Sequence, residues 1–515
     1  MSVSKAFAAL AAGLALLAAA GAVQAAADRA TVETGELQGV VADGVASFKG
    51  IPFAAPPVGP LRWRAPKAAA HWSGVRDASR FGPSCMQMSN GGAFGAAASQ
   101  SEDCLTLNVF TPEHHEGAKL PVMVWIYGGA FTQGGSARYD GTHFAQDGVV
   151  LVTINYRLGR LGFFAHPALT RTNPEKTLAN YGFADQIAAL TWVKRNIAAF
   201  GGDPDKVTIF GESAGGISVN YLMISPPARG LFSQAASESG FGRSQPRPFE
   251  RAQSIGADFI KAQGITGDDA AAAAAMRALP ASVLAQPTTG LTDPVTPGPI
   301  LDYVTVLEGT GVGFADGHQA RVPYLVGGNS FEASLFRSAL EHPDAVLNRL
   351  GPNKDIAVQL YGGGDPTKAA AQLTTLATVI EPDRFLARQE AKVGAPAYVY
   401  YFSYVPQSQR ATSLGVFHGG EIAYVFDTLP KVPFDRGSFH IPAATAADEQ
   451  VAKATHAYWV AFAKTGRPGA AGGVEWPASG ANDTVLEIGS DGIVARPDFD
   501  KIKLDPLTAR ADAAP

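Results

Sequence analysis

The sequence predicts an α/β fold: one mostly parallel central sheet flanked by helices and carrying large insertions. Two stretches predict it. Val207-Thr-Ile-Phe210 is apolar and β-branched, as a buried strand is. Ile217, Val219 and Leu222 then recur at a spacing a helix uses, so strand turns into helix across Gly211-Glu-Ser-Ala-Gly215. Just upstream, Ile187, Leu190, Val193, Ile197 and Phe200 repeat at three and four residues, giving Asn180 to Phe200 one apolar helical stripe. Gly201-Gly-Asp-Pro204 ends that helix before the next strand begins. Strand, helix and strand in that rhythm build a parallel or mixed sheet with helices on its faces.

The remaining elements fall around this centre. Residues 1–25 read as a secretory signal: Lys5 is the lone early charge, Ala6 to Ala22 is an Ala/Leu-rich apolar run, and Val23-Gln-Ala25 offers a small-residue cleavage site. The run is short for a membrane span and has no basic stop-transfer flank, so no stable membrane insertion is expected after cleavage. Residues 26–515 read as a single catalytic domain. Thr31 to Phe48 alternates polar and apolar residues around Gly35, Gly39 and Gly44, which predicts one or two hairpins. Gly50 to Gly59 is rich in Pro and Gly and reads as a fixed loop. Pro121 to Tyr127, Val149 to Tyr156, Arg321 to Val326 and Ala397 to Tyr404 read as strands, and the stretch after Ser101 leads into another. Phe249 to Leu284 reads as Ala-rich helix and Ala443 to Lys464 as a long helix stopped by Gly466 and Pro468.

Composition narrows the function. The chain has 515 residues, 46% hydrophobic and 17% charged, which is globular. Its net charge of −5 gives no basic face for nucleic acid or anionic membrane. There is no H-E-x-x-H or Cys/His cluster, so no metal is expected, and Gly309-Thr-Gly-Val-Gly313 is too weak to read as a nucleotide loop, so no cofactor is expected. The cysteines are Cys85 and Cys104; in an exported chain such a pair forms a disulfide. The sequence carries no signal for an oligomeric state.

Gly211-Glu-Ser-Ala-Gly215 fits G-x-S-x-G between a strand and a helix, the setting in which a sharp turn lifts a serine hydroxyl clear of a sheet. Ser213 is therefore the candidate nucleophile. A serine needs a base, the base needs an orienting acid, and the oxyanion that forms needs N–H donors. Val122 to Phe131 runs from strand into small residues, and Gly129 and Ala130 are the candidate donors with Ala214 as the third. Chain order for this architecture is serine, acid, histidine, which sets aside His71, His114, His115, His143 and His166. Of His318, His342, His418, His440 and His456, His418 lies in a Gly-containing loop beyond a strand, where the base belongs, and His440 is the weaker competitor. Asp302, Asp316, Glu332 and Asp383 are in range for the acid, and Glu332 closely follows the strand ending at Asn329.

With these stretches in place the chain resembles the type-B carboxylesterase/lipase family of α/β-hydrolases. The resemblance runs from about Thr31 to Leu504 and rests on Phe48-Lys-Gly-Ile-Pro-Phe-Ala54, Ser101-Glu-Asp-Cys-Leu-Thr-Leu-Asn108, Asn155-Tyr-Arg-Leu-Gly159, Phe200-Gly-Gly-Asp-Pro204, Gly211-Glu-Ser-Ala-Gly-Gly216 and His418-Gly-Gly-Glu-Ile422. It implies an ester hydrolase with Ser213, Glu332 and His418 as triad and Gly129, Ala130 and Ala214 as oxyanion hole. It also implies a Cys85–Cys104 disulfide and ion pairs Arg62–Glu102 and Arg157–Asp185. Glu212 is implied as a carboxylate near His418, held by Ser239. Ala130 stands where many members have a third glycine; it serves if its backbone angles are ordinary. Phe331 and Ala333 flank Glu332 where the family often has Asp-Glu-Gly. The expected substrate is a small-molecule carboxylic ester, handled in the periplasm or outside the cell. The alternatives are a lipase or an esterase for a bulky multi-ester natural product, and a non-catalytic binding protein on the same scaffold, which the presence of all three triad residues disfavours.

Overall fold

The computed structural model describes residues 27–87, 99–286, 295–436, 439–480 and 482–513. The expected signal at residues 1–25 lies outside them. Eleven strands form the central sheet. In chain order they are β1 (Val40–Ala42), β2 (Val45–Pro52), β3 (Thr106–Pro112), β4 (Leu120–Ile126), β5 (Val150–Ile154), β6 (Gly202–Glu212), β7 (Gln234–Glu238), β8 (Tyr324–Asn329), β9 (Ala397–Ser403), β10 (Val485–Gly489) and β11 (Gly492–Arg496). Their order across the sheet is β11-β10-β9-β8-β7-β6-β4-β5-β3-β2-β1. From β5 through β4, β6, β7, β8 and β9 to β10 every pairing is parallel, and both ends of the sheet are antiparallel. This is the mixed, mostly parallel sheet that the strand–helix rhythm predicts.

The centres of the parallel strands are apolar and buried because both faces are covered. All of β5 is buried, as are the last five residues of β4. The helices that matter for the site are α1 (Tyr181–Asn196), α2 (Ala214–Ile224), α3 (Glu381–Lys392) and α4 (Ala446–Thr465). The last packs against β4 and β6 and starts on a capping box between Thr445 and Asp448.

Several boundaries differ from expectation. The N-terminal residues form two hairpins, Arg29–Val32 with Gly35–Gln38 and β1 with β2. The Pro/Gly-rich stretch is partly strand: β2 reaches Pro52, pairing Ile51 with Leu107 and Pro52 with Thr106 beyond a break in register after Phe48. The strand expected at Arg321 to Val326 starts at Tyr324 and runs to Asn329. The helical region Phe249 to Leu284 is three helices, broken near Gly264 and Pro280.

Buried charge is paired in the way the resemblance implies. Arg157 donates from Nε and Nη2 to Asp185 at 2.8 and 2.7 Å, and Arg62 donates to Glu102 at 2.8 and 2.6 Å. Cys85 and Cys104 are bonded, with Cα atoms 5.0 Å apart across 19 residues of sequence. Closing a loop of that length stabilises the fold by about 3 kcal/mol in the chain-entropy model. A Cys85→Ser/Cys104→Ser variant should unfold at correspondingly lower denaturant concentration. An unchanged midpoint would mean that the bridge does not constrain the unfolded chain.

Candidate active site

β6 ends in the turn that carries Ser213. Ser213 has φ 58° and ψ −122°, a left-handed backbone that costs a side-chain-bearing residue about 1–3 kcal/mol. The surrounding glycines make that turn possible. A Cβ on Gly215 would stand 1.9 Å from the Ile126 carbonyl oxygen, and one on Gly211 would stand 2.4 Å from the same atom. The turn is also tied to its neighbour, since Ser213 N donates to the Glu238 carbonyl at 2.9 Å. The helix α2 begins directly behind it at Ala214.

Glu332 follows β8, and His418 sits in the loop after β9. The two loops are stitched together. Phe331 N donates to the Val416 carbonyl at 2.9 Å, Val416 N to Ser330 Oγ at 2.9 Å, and His418 N to Ser334 Oγ at 2.9 Å. Phe331 and Phe417 form a parallel bridge. The hydroxyls of Ser330 and Ser334 and the backbone of Phe331 therefore hold the two loops together. His418 Nδ1 hydrogen-bonds Glu332 Oε2, and the other carboxylate oxygen of Glu332 accepts from Ser239 Oγ at 2.6 Å and from Asn329 N at 2.7 Å. Glu332 is fully buried.

Ser239 is thus a partner of Glu332, not of Glu212 as the resemblance implied. The correction has a simple cause. Ser239 follows β7, the neighbour of β8, so it faces the start of the acid loop. Glu212 ends β6 next to Ser213, and its Oε1 lies 3.1 Å from His418 Nε2. The imidazole is bracketed by two carboxylates, one on each nitrogen. Among the described residues no hydrogen bond joins His418 to Ser213. Such contacts are often loose before substrate arrives.

The charges around the ring set its proton affinity. Burial alone pushes the imidazole down; the charges of Glu212 and Glu332, the hydrogen bond to Glu332 and the charge of Glu421 outweigh it and raise His418 to about 9. Glu421 is itself raised to about 8, by burial first and then by the charges of Glu212 and Glu332. It accepts from Asn329 Nδ2 at 2.5 Å. Glu238, which accepts from Trp459 Nε1 at 2.7 Å, and Asp383 are both held well above the usual carboxylate range, mainly by burial. Sequence reasoning quoted Glu421 inside a motif and gave it no role, and it passed over Glu238. Asp383, which is also in range for the acid, is pushed up first by burial and then by the charge of Glu332, and His418 makes its carboxylate contact with Glu332.

Among the described residues the N–H groups of Gly129, Ala130 and Ala214 have no hydrogen-bond acceptor. Gly129 has φ 108°, and Ala130 has φ 55°, so the alanine's backbone is left-handed, not ordinary. Its methyl group adds about 1–2 kcal/mol of conformational cost that a glycine there avoids. Gly128 lies against the serine: a Cβ on it would be 3.0 Å from Ser213 Cβ. Of the other histidines, His342 and His318 are exposed. His456 is buried on α4 and hydrogen-bonds the Val425 carbonyl at 2.7 Å. The side chain of His440 lies outside the described residues.

A hydroxyl on a strained turn, an imidazole gripped by carboxylates and unpaired N–H groups are the components of acyl transfer. Comparison with known proteins gives the same chemistry. The carboxylesterase family model matches residues 26–355 and 362–501. The chain is 37% identical over 474 residues to fumonisin B1 esterase of Sphingopyxis macrogoltabida, covering 89% of this chain and 86% of that protein. It is 35% identical over 470 residues to para-nitrobenzyl esterase of Bacillus subtilis (strain 168), covering 87% and 92%. A solved para-nitrobenzyl esterase structure superimposes with a TM-score of 0.78 at 32% identity, covering 93% of this chain and 99% of that one. A carboxylesterase structure from Geobacillus stearothermophilus gives 0.79 at 31%, covering 92% and 99%. Likeness at this level, sustained from the first hairpin almost to the last helix, makes the chain a member of the carboxylesterase family, a carboxylic ester hydrolase on the α/β-hydrolase fold.

Proposed function

We propose that Ser213, His418 and Glu332 carry out the hydrolysis, with the N–H groups of Gly129, Ala130 and Ala214 as oxyanion hole. His418 Nε2 takes the proton from Ser213 Oγ as that oxygen bonds to the ester carbonyl carbon. The carbonyl oxygen becomes an anion and is received by the three N–H groups, each worth roughly 3–4 kcal/mol in comparable sites. The bond to the leaving oxygen then breaks, and that oxygen takes the proton from His418. Water repeats the sequence on the acyl-enzyme. The observation that carries this reading is the left-handed Ser213 turn beside an imidazole held on Nδ1 by a buried, doubly hydrogen-bonded glutamate.

We also propose that the chain is exported. The disulfide supports this, as does the lack, among the described residues, of any helix long and apolar enough to cross a membrane. A second reading, a hydrolase dedicated to one elaborate natural-product ester, is favoured by the identity to fumonisin B1 esterase.

The test is a series of para-nitrophenyl esters from acetate to palmitate, with fluorophosphonate labelling read by peptide mapping. Turnover of short esters with the label on Ser213 is the expected result. Activity that rises only on long acyl chains at an interface would make the protein a lipase. A folded protein that takes no label and hydrolyses no ester would return the scaffold to a binding role.

A further inference from the structure

A cavity of about 250 Å³ opens beside the site. Gly128, which lies against Ser213, forms part of its wall, and so do Phe417, Gly419 and Gly420, which flank His418 along the chain. The cavity therefore lies on the imidazole's side of the serine. In the mechanism proposed above, the imidazole hands its proton to the leaving oxygen, so the leaving alcohol has to lie within hydrogen-bond reach of His418. A cavity walled by the residues on both sides of that histidine is where the rest of the alcohol goes.

The walls say what kind of alcohol fits. Val416, Ile422, Tyr424, Phe426, Leu429 and Ile441 give the cavity an apolar surface. The buried carboxylate in the wall, Asp448, is already engaged. It accepts from the Tyr404 hydroxyl at 2.7 Å, and its other oxygen takes both the N–H and the hydroxyl of Thr445 at 2.7 Å as part of the capping box of α4. Arg138 also lines the cavity and, like Asp448, is already in an interaction of its own, so a charged alcohol would lose its water for a partner it has to share, whereas an apolar one meets a wall that is mostly apolar. In volume the cavity exceeds the roughly 150 Å³ that suffices to hold a benzene molecule in an apolar core.

Resting on the ester-hydrolase reading, we propose that the enzyme selects esters by their alcohol: a bulky, uncharged, apolar alcohol or phenol, larger than a single benzene ring.

The experiment holds the acyl group constant as acetate and varies the alcohol through ethyl, benzyl and 1-naphthylmethyl. It adds the isosteric pair 3,3-dimethylbutyl acetate and 2-(trimethylammonio)ethyl acetate, which differ only in charge. The expected result is that kcat/KM rises at least tenfold from ethyl to naphthylmethyl, and that the neutral isostere is preferred over the cation by tenfold or more. Ala443→Trp, which fills the wall, should lower the naphthylmethyl-to-ethyl ratio at least tenfold. A ratio that stays flat across the alcohols in the native enzyme overturns the proposal even while ester hydrolysis stands, and preference for the cation overturns it equally. Hydrolysis of no acetate by folded enzyme overturns the hydrolase reading itself, and this proposal with it.

Discussion

Alanine at position 213 is expected to lower kcat on para-nitrophenyl acetate roughly a millionfold, the loss seen when a serine hydrolase loses its nucleophile. The expectation follows from how the residues are coupled. In the proposed mechanism His418 and Glu332 act on the substrate only through the Ser213 hydroxyl, so without it their arrangement has no proton to move. For the same reason a Ser213→Ala/His418→Ala double variant should be no slower than either single one. Residual activity well above water should persist in all three, because the N–H groups of Gly129, Ala130 and Ala214 are untouched. Steady-state rates on protein purified under matched conditions, with circular dichroism to establish folding, decide the matter. A Ser213→Ala variant that keeps even a hundredth of the native rate would place the nucleophile elsewhere.

Glutamine at position 332 is expected to cost about 10⁴ in kcat, although it changes one atom. The reason lies in the other end of the carboxylate. Its Oε1 accepts from both Ser239 Oγ and Asn329 N. A glutamine keeps its oxygen there, because its amide nitrogen has no acceptor to meet. The amide nitrogen then points at His418 Nδ1 as a donor, and the imidazole responds by placing its proton on Nε2. A ring protonated on Nε2 cannot take the proton of Ser213. The native pH profile complements this. With His418 raised to about 9, the resting ring is mostly charged at neutral pH, and kcat/KM should climb as pH rises through that value. Glu212→Gln removes one of the charges that raise the ring, so its limb should move to lower pH. If Glu332→Gln loses less than tenfold, the glutamate is not the orienting acid.

Much of this site was legible along the chain. Gly211 to Gly215 announced its turn because glycines are needed where Ile126 comes within contact distance. His418 and Glu332 announced themselves by following strands. What the sequence hid was partnership. The resemblance implied Ser239 as the partner of Glu212; strand order carries it to Glu332 instead. Glu238 and Glu421 look like solvated carboxylates until packing buries them under Trp459 and Asn329. The left-handed backbone of Ala130 was not legible, because the constraint comes from the loop around it. The Pro/Gly run at Gly50 hid a strand end, since Pro52 tolerates the last position of a ladder where an interior strand would reject it.

The acids packed beneath the serine make folding a proton-consuming event. Glu238, Asp383 and Glu421 hold their protons in the fold far above the pH at which an unfolded chain releases them, and so does Glu390, raised to about 8 by burial. His418 acts in the same direction between its unfolded value near 6.5 and about 9. From about pH 6.5 to pH 9 these groups make the folded chain bind more protons than the unfolded one, and stability falls as pH rises. Carboxylates held low, such as Asp483, act in the opposite sense in more acid solution, and so do His166 and His456, whose imidazoles burial pushes down, below about pH 6.5. Catalysis needs an unprotonated imidazole and the fold gains from a protonated one. The alkaline side on which the enzyme is expected to work fastest is the side on which these groups hold its structure least firmly.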